Sequence, residues 1–482
     1  MLFIFCFSRG KMRPTVPLLL LALLAAARPT PAQVKTSLLD LSRILPSLSR
    51  PANHSRIFYA VMFDAGSTGT RIHVYTFIHS DAEKLPVLDN EMFHSVKPGL
   101  SAYVDSPEMA GQTVRVLLKV ARKTVPRLDW KRTPLVLRAT AGLRLLPAEK
   151  AQALLEQVQH VFHESPFLVP DNSVSIMNGT SEGNFRPPSV PTTSSFIPCP
   201  IRWCPPTGVL AWISVNFLTG EYCHLRPQTK KTVGILDLGG GSTQITFLPK
   251  LRKTIESAPV DDYVARFEIF NSTLELYTHS YLGNGLMMGR LATLGARGGG
   301  GAGPDANSTD LPPAAGSETK IFNSSCLPSK FRDEWSFGGQ TYQVSGNPDG
   351  DAGYKHCYQE ILKVVDGAIH QPYKLEDGSF FYAFSYYFDR AVDAGLIDDV
   401  QGGILQVRDF KKRAKEVCNK MAKDPTTSPF LCLDMTYITC LLKDGFGFKE
   451  STTLQLTKKV KNVEASWALG ATLDHFHNLK IH

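Results

Sequence analysis

Phe58-Tyr-Ala-Val-Met-Phe-Asp64-Ala-Gly66-Ser67-Thr68-Gly69-Thr-Arg71-Ile-His-Val-Tyr-Thr76 is the stretch that decides the fold. An apolar, β-prone run from Phe58 to Phe63 ends in Asp64, a loop of small and hydroxyl residues follows, and a second strand-like run starts near Ile72. The pattern predicts a hairpin with a polar tip. Gly66 and Gly69 let backbone N–H groups converge there, Ser67, Thr68 and Thr70 add hydroxyl donors, and Arg71 stands close by, so the tip suits an anion. Taken alone, it also reads as an ordinary tight turn.

The design occurs a second time. Val233-Gly-Ile-Leu-Asp237-Leu-Gly239-Gly240-Gly241-Ser242-Thr-Gln244-Ile-Thr-Phe247 again runs strand, Asp, a glycine two residues on, small residues, Ser-Thr, strand. Two matched hairpins predict two similar α/β lobes, each offering one phosphate loop to a shared cleft. No G-x-x-x-x-G-K-[ST] run occurs, so neither is a Walker loop.

The rest of the chain supplies further tips at the ends of β-like segments, where α/β proteins place ligand sites. Pro134 to Arg138 reads as a buried strand delivering Ala139-Thr140-Ala-Gly-Leu-Arg144, and Val174 to Met177 delivers Asn178-Gly-Thr-Ser-Glu182-Gly183. Helices are expected from Val114 to the stop at Pro126, over Ala148 to His163, over Ile361 to Ile369, over Phe410 to Met421, and over Val463 to Phe476. The aromatic run Phe380 to Phe388 reads as a buried strand or helix. Asn184 to Gly208, with seven prolines in 25 residues, reads as an inserted loop without a core of its own. Arg297 to Ala315, rich in glycine, reads as a surface loop or linker.

Residues 1–32 carry basic residues, the apolar run Val16 to Ala27 and small residues, the pattern of a cleaved secretory signal. Met12 makes an alternative start. No later run approaches membrane-spanning length, so no span is expected after cleavage. Five sequons fit this route: Asn53, Asn178, Asn271, Asn307 and Asn323. Nine cysteines in an oxidising compartment should mostly pair, and Cys6 leaves with the signal. The net charge of +8 is scattered in pairs and triplets rather than gathered with aromatics, which argues against nucleic acid.

In order along the chain, Asp64 to Arg71, Ala139 to Arg144, Glu182-Gly183 with a later Trp212, Asp237 to Gln244, and Tyr281-Leu-Gly-Asn-Gly285 resemble the apyrase conserved regions of the ectonucleoside triphosphate diphosphohydrolases. The resemblance spans roughly residues 57 to 480. Ser95-Val-Lys-Pro-Gly-Leu-Ser101 and Ser466-Trp-Ala-Leu-Gly-Ala471 are most similar to the soluble type 5 branch, whose members are lumenal UDPases.

The resemblance implies a two-lobed actin-like, RNase-H-like α/β fold with the active site in the interlobe cleft. Lobe I is expected over 50–180, lobe II over 209–455, and a C-terminal helix within 456–482 returning to lobe I. It implies hydrolysis of the terminal phosphate of nucleoside diphosphates, UDP and GDP above all, with Ca²⁺ or Mg²⁺. The setting it implies is the endoplasmic reticulum lumen or the secreted fluid, in support of glycoprotein glucosylation and folding.

Residue by residue, Glu182 is expected as general base, Thr140, Ser242 and Gln244 as water-positioning groups, and Asp64 and Asp237 as holders of a hydrated cation. Gly66, Ser67, Thr68, Gly239, Gly240 and Gly241 would cradle phosphate, consistent with a reaction that is mostly positioning and charge neutralisation. The type 5 pattern implies disulfides Cys326–Cys357 and Cys418–Cys432, leaving Cys199, Cys204, Cys223 and Cys440 unassigned. Tyr386 and Tyr387 offer ring faces to a nucleobase.

Two departures stand out: Gly241 where the family usually has Ala, and the Asn184 to Gly208 stretch directly after Glu182-Gly183. An insertion beside the base could displace it, so a nucleotide-binding but catalytically impaired isoform is the alternative. A kinase of the same fold class is a third reading, opposed by the secretory signal.

Overall fold

The computed structural model describes residues 56–79, 86–177, 206–220, 232–269, 272–296, 320–348, 352–375, 380–421 and 428–478. The expected signal (1–32), Asn53, Asn178, Glu182, Gly183, Asn271, Asn307, Cys199, Cys204, Cys223, nearly all of the Pro-rich stretch and the glycine-rich stretch lie outside the described residues.

The first hairpin forms as read: β1 (Arg56–Ala65) and β2 (Thr70–His79) pair antiparallel. β3 (Val87–Val96) adds antiparallel to β2, while β4 (Leu135–Ala139) and β5 (Val174–Ile176) extend the other edge in parallel, giving the order β3-β2-β1-β4-β5. Helices Pro107–Thr124 and Ala148–His163 cover this sheet. Each buries one stripe at helical spacing: Ala110, Val114, Leu117 and Ala121 on one, Leu154, Val158, Val161 and Phe162 on the other. The first helix starts seven residues before the expected Val114, because Pro107 suits a first helical position and the buried stripe already begins at Ala110.

The second sheet repeats the wiring. β6 (Gly234–Leu238) and β7 (Ser242–Phe247) are antiparallel, β8 (Val264–Ile269) and β9 (Ser272–Leu282) follow, and β9 pairs antiparallel with β7. A three-stranded sheet is then formed by β10 (Ile321–Ser324), β11 (Arg332–Phe337) and β12 (Gln340–Gly346). Chain returns to the main sheet at β13 (Phe381–Ser385), parallel to β6, and at β15 (Thr453–Leu456), parallel to β13, with β14 (Gly403–Gln406) as the edge. The order is β14-β15-β13-β6-β7-β9-β8, so β6, β7, β9, β13 and β15 copy β1 to β5. The two sheets build separate apolar cores, one around Phe63 and Phe162, the other around Phe381, Tyr437 and Phe446. Two lobes follow from that separation.

Several expected boundaries move. The Pro-rich stretch was expected to run to Gly208, but helix Thr207–Thr219 already includes Thr207 and Gly208. A Cβ on Gly208 would meet Thr246 Oγ1 at 2.4 Å, so this glycine is packed onto the second sheet rather than looped out. The helix is buried on almost every side, against β6, β7 and β9 and against helix Ala468–Asn478. The expected helix over Ile361 to Ile369 is instead Tyr354–Val365, and Phe380 to Phe388 splits between β13 and helix Tyr386–Asp393.

The expected helix over Val463 to Phe476 starts only at Ala468. Val463 and Glu464 form β17, paired with β16 (Lys459–Val460). The two residues between, Lys461 and Asn462, both have positive φ, the signature of the two-residue turn that matches strand twist. That turn chemistry overrides the helical spacing of the apolar residues.

Both expected disulfides form, Cys326–Cys357 and Cys418–Cys432, while Cys440 is a buried free thiol. Asn323 is exposed on β10. No helix among the described residues is long and apolar enough to cross a membrane.

Candidate active site

Each hairpin delivers its aspartate to the same point of the repeated wiring. Asp64 sits opposite Arg71 on β2 and beside Arg138 on β4; Asp237 sits opposite Gln244 on β7 and beside Phe384 on β13. The first loop is closed by the Gly66 N–H donating to Gly69 O at 3.0 Å, the second by the Gly239 N–H donating to Ser242 O at 3.0 Å. The Leu286 and Met287 N–H groups, at the start of helix Leu286–Thr293, donate to the Gly239 and Gly240 carbonyls, and the Gly283 N–H to Gly241 O. Tyr281 to Gly285 is therefore the brace of the second loop.

The two loops touch. A Cβ on Gly240 would lie 2.6 Å from Ser67 Oγ and 2.7 Å from Thr68 Cγ2, a fit only glycine allows. Asp64, Gly66, Ser67, Thr68, Thr140, Asp237, Gly239, Gly240, Gly241, Ser242 and Gln244 line one cavity of about 500 Å³. Every site residue expected on the two loops and at Thr140 is thus brought together; Glu182 lies outside the described residues. Tyr386 is on the wall, but Tyr387 is fully buried and offers no face to a ligand.

The wall also contains residues that sequence reasoning did not assign. Ser385 ends β13 with φ 58° and ψ −128°, a costly conformation for a residue with a side chain, and it lines the same cavity as Asp237, paired one strand away through Leu238. Tyr386, the next residue and one already offered by the sequence, lines the cleft with Thr68. Arg390 reaches the cleft while held by Asp434 at 3.2 Å and Asp393 at 2.7 Å, and Asp434 is itself clamped by Arg290 at 2.6 Å. Glu464 arrives from the C-terminal hairpin. The strained Ser385 has no local sequence signal, and Glu464 sits in a segment that reads as helix.

The two aspartates differ electrically. Arg71 Nη1 donates to Asp64 Oδ2 at 2.9 Å, and the carboxylates of Asp64 and Glu464 hold the Arg71 proton more tightly than usual although burial works against it. Asp237 has no such partner: burial, with the like charge of Asp64, pushes it up to about 6, against the pull of Ser385 and Arg71. Burial likewise pushes Glu464 up to about 7.

Asp64 Oδ1 and Asp237 Oδ1 are buried without a hydrogen-bond partner among the described residues. Two orphaned carboxylate oxygens in one cavity fit a hard divalent cation that keeps much of its water. Beside them, Gln244 Nε2 donates to Ser242 Oγ at 2.7 Å and to Ser280 Oγ at 2.8 Å. Both amide hydrogens are used, so the Gln244 carbonyl remains as acceptor and the Ser242 hydroxyl keeps its own proton to donate. An acceptor and a donor fixed in this way suit the two sides of an attacking water and a phosphate oxygen.

Comparison with known proteins agrees with the geometry. Residues 50–187 and 206–482 match the model of the GDA1/CD39 (nucleoside phosphatase) family, and the gap falls inside the Pro-rich stretch. The chain is 53% identical over 439 residues to ectonucleoside triphosphate diphosphohydrolase 5 of Gallus gallus, covering 91% of this chain and 92% of that protein. It is 52% identical over 423 residues to the nucleoside diphosphate phosphatase ENTPD5 of Homo sapiens, covering 88% of each. Among solved structures it resembles a nucleoside triphosphate hydrolase of Neospora caninum, with a TM-score of 0.54 at 13% identity over 92% of this chain and 95% of that one. The two-lobed actin-like fold is shared.

Proposed function

The chain belongs to the GDA1/CD39 (nucleoside phosphatase) family, and from that premise we propose that it hydrolyses the terminal phosphate of nucleoside diphosphates, UDP and GDP first, with Ca²⁺ or Mg²⁺. The observation that carries this reading is the pair of orphaned carboxylate oxygens, Asp64 Oδ1 and Asp237 Oδ1, delivered by two copies of one hairpin into one hydroxyl-lined cavity. A cation held there through its waters would neutralise phosphate charge. The relatives' printed names favour the diphosphate.

The chain's own groups then divide the work. Ser67, Thr68 and the Gly239 to Ser242 backbone hold phosphate oxygens. Thr140, Ser242 and Gln244 fix a water in line with the bond to be broken. Glu182 takes that water's proton as its oxygen joins the terminal phosphorus; the bridging P–O bond breaks, and the monophosphate leaves with the bond's electron pair. The 1–32 signal, the sequons and the two disulfides support work in the secretory route, where removing UDP would favour glycoprotein glucosylation.

Phosphate release from UDP by the secreted protein, with Ca²⁺ or Mg²⁺ against EDTA, tests the proposal. Metal-dependent turnover lost in Glu182→Gln is the expected result; turnover that survives EDTA or Glu182→Gln would sink it. A version lacking residues 184–205, which spares the helix at Thr207, should hydrolyse UDP at a similar rate. Turnover only in that shortened version would favour the impaired-isoform reading.

A further inference from the structure

We infer that Thr207, at the start of helix Thr207–Thr219, is a further holder of the attacking water, beside Gln244 and Ser242. This rests on the hydrolytic reading above and adds to it a residue and a helix end with no assigned role.

The first observation is on the cavity wall. Thr207 lines the same cavity as Ser242 and Gln244 and is only 4% exposed, yet its Oγ1 has no hydrogen-bond partner among the described residues. A buried hydroxyl in that state is disfavoured until a water or ligand oxygen meets it. The packing of Gly208 puts it next to Gln244. A Cβ on Gly208 would meet Thr246 Oγ1 at 2.4 Å, Thr278 Oγ1 at 3.1 Å and Gln244 Cβ at 3.6 Å, so the first helical turn lies directly on β7. The two hydroxyls beneath it are spent on each other at 2.6 Å, and the Gln244 amide hydrogens on Ser242 and Ser280. Thr207 is left to face the cavity.

The helix end is the second observation. The helix has 13 residues, its N-cap is Pro206, no side chain caps it, and no acidic residue lies in its first turn. The Leu210 N–H is taken by Pro206 O at 3.1 Å, which leaves the N–H groups of Thr207, Gly208 and Val209 outside the helix's own ladder. Aligned peptide dipoles place about half a positive charge at this end.

The chemistry of the water uses both. The Gln244 carbonyl can only accept, so it orients a neutral water that still has protons to give. As that water loses its proton and its oxygen turns to phosphorus, negative charge builds on the oxygen, and an acceptor alone no longer suits it. A hydroxyl donor and a positive helix end gain strength at that moment. Their effect therefore belongs to the transition state rather than to the binding of UDP.

Steady-state kinetics on the secreted full chain test the inference. Thr207→Val keeps the shape and removes the hydroxyl; it should lower kcat for UDP by about tenfold with KM within about twofold, a split that general loosening of the fold would not give. Thr207→Ser, which keeps the hydroxyl, should stay within about threefold of the wild-type kcat. Thr207→Glu in the Glu182→Gln background sets a carboxylate at the same water and should raise kcat about tenfold or more over Glu182→Gln alone. Unchanged kcat in a folded Thr207→Val, a Thr207→Ser no faster than Thr207→Val, or no gain from Thr207→Glu overturns the inference. Should Thr207→Val not fold, Thr207→Ala takes its place under the same criteria. A wild-type chain that releases no phosphate from any nucleoside diphosphate sinks the hydrolytic reading instead. Calorimetry with UMP plus orthovanadate, which mimics five-coordinate phosphorus, then decides: binding weakened about tenfold in Thr207→Val sustains this inference, and unchanged binding overturns it.

Discussion

The β1–β2 and β6–β7 hairpins share a skeleton and differ in charge. Each places an aspartate one residue before its strand ends, above an antiparallel partner and beside a parallel one. Opposite Asp64 is a cation, and opposite Asp237 is a neutral amide. Backbone repetition thus fixed where the two carboxylates meet, and one cross-strand residue decided how each behaves. Asp64 comes with its own counter-charge; Asp237 has no cation opposite it on the partner strand.

Removing each carboxylate should separate the two roles most sharply. Asp64→Asn and Asp237→Asn should each lower kcat/KM for UDP by about a thousandfold. Thermal unfolding in EDTA should then split them. Asp64→Asn strands Arg71 and should cost about 1–2 kcal/mol, discounted because Arg71 is a third exposed. Asp237→Asn removes an uncompensated buried carboxyl and should cost nothing. Equal destabilisation would break the comparison.

A smaller effect is expected where the loops meet. Gly240→Ala drives a methyl into Ser67 and Thr68 and should cost about a hundredfold in kcat. Gly241→Ala, the residue usual in the family, meets the Ala141 methyl at 2.9 Å and the mobile end of Leu145 at 3.2 Å. Its cost should stay within about tenfold. Steady-state rates on both variants check the contrast.

Proton binding offers a gentler probe. Asp237 and Glu464 both have native pKa values above their unfolded ones, about 6 and about 7, so the native state holds more protons than the unfolded state between those values and about 4. The sign follows: their contribution disfavours folding above pH 7 and disappears as pH falls toward 4. Metal-free protein should therefore gain stability from these groups between pH 8 and pH 5. Asp237→Asn and Glu464→Gln should each flatten that rise, and added Ca²⁺ should oppose it by favouring ionised Asp237. Unfolding midpoints across pH decide this. Smallest of all, Ser280→Ala removes one of the two anchors of Gln244 and should lower kcat about threefold.

The sequence revealed what is local and repeated. Asp-x-Gly followed by Ser-Thr disclosed both loops because a tight, anion-facing turn admits few other residues. Ala148–His163 was legible end to end, since Pro147 opens it and its apolar stripe is unbroken. The C-terminal segment misled, because Trp467, Leu469, Leu473 and Phe476 keep helical spacing right up to a turn that Lys461 and Asn462 impose. Glu464 was invisible for a different reason. Its anchor, Glu91, is 373 residues away, and no local pattern encodes such a contact. Ser385 was hidden too, because its backbone conformation is imposed by the strand-to-helix corner rather than by its residue type.

The C-terminal helix has a consequence for synthesis. Phe476 packs edge-on against the stacked rings of Phe58 and Phe77, with ring centroids 5.4 and 5.1 Å away, so the outer face of the first hairpin is finished by a residue translated some four hundred positions later. A ribosome emitting the chain from its N-terminus exposes Phe58 and Phe77 long before their cover exists. Until then the nascent first lobe offers an apolar surface to the chaperones of its compartment. A premature stop that deletes Phe476 would leave that surface open for good, turning a lesson in packing into a sentence of degradation.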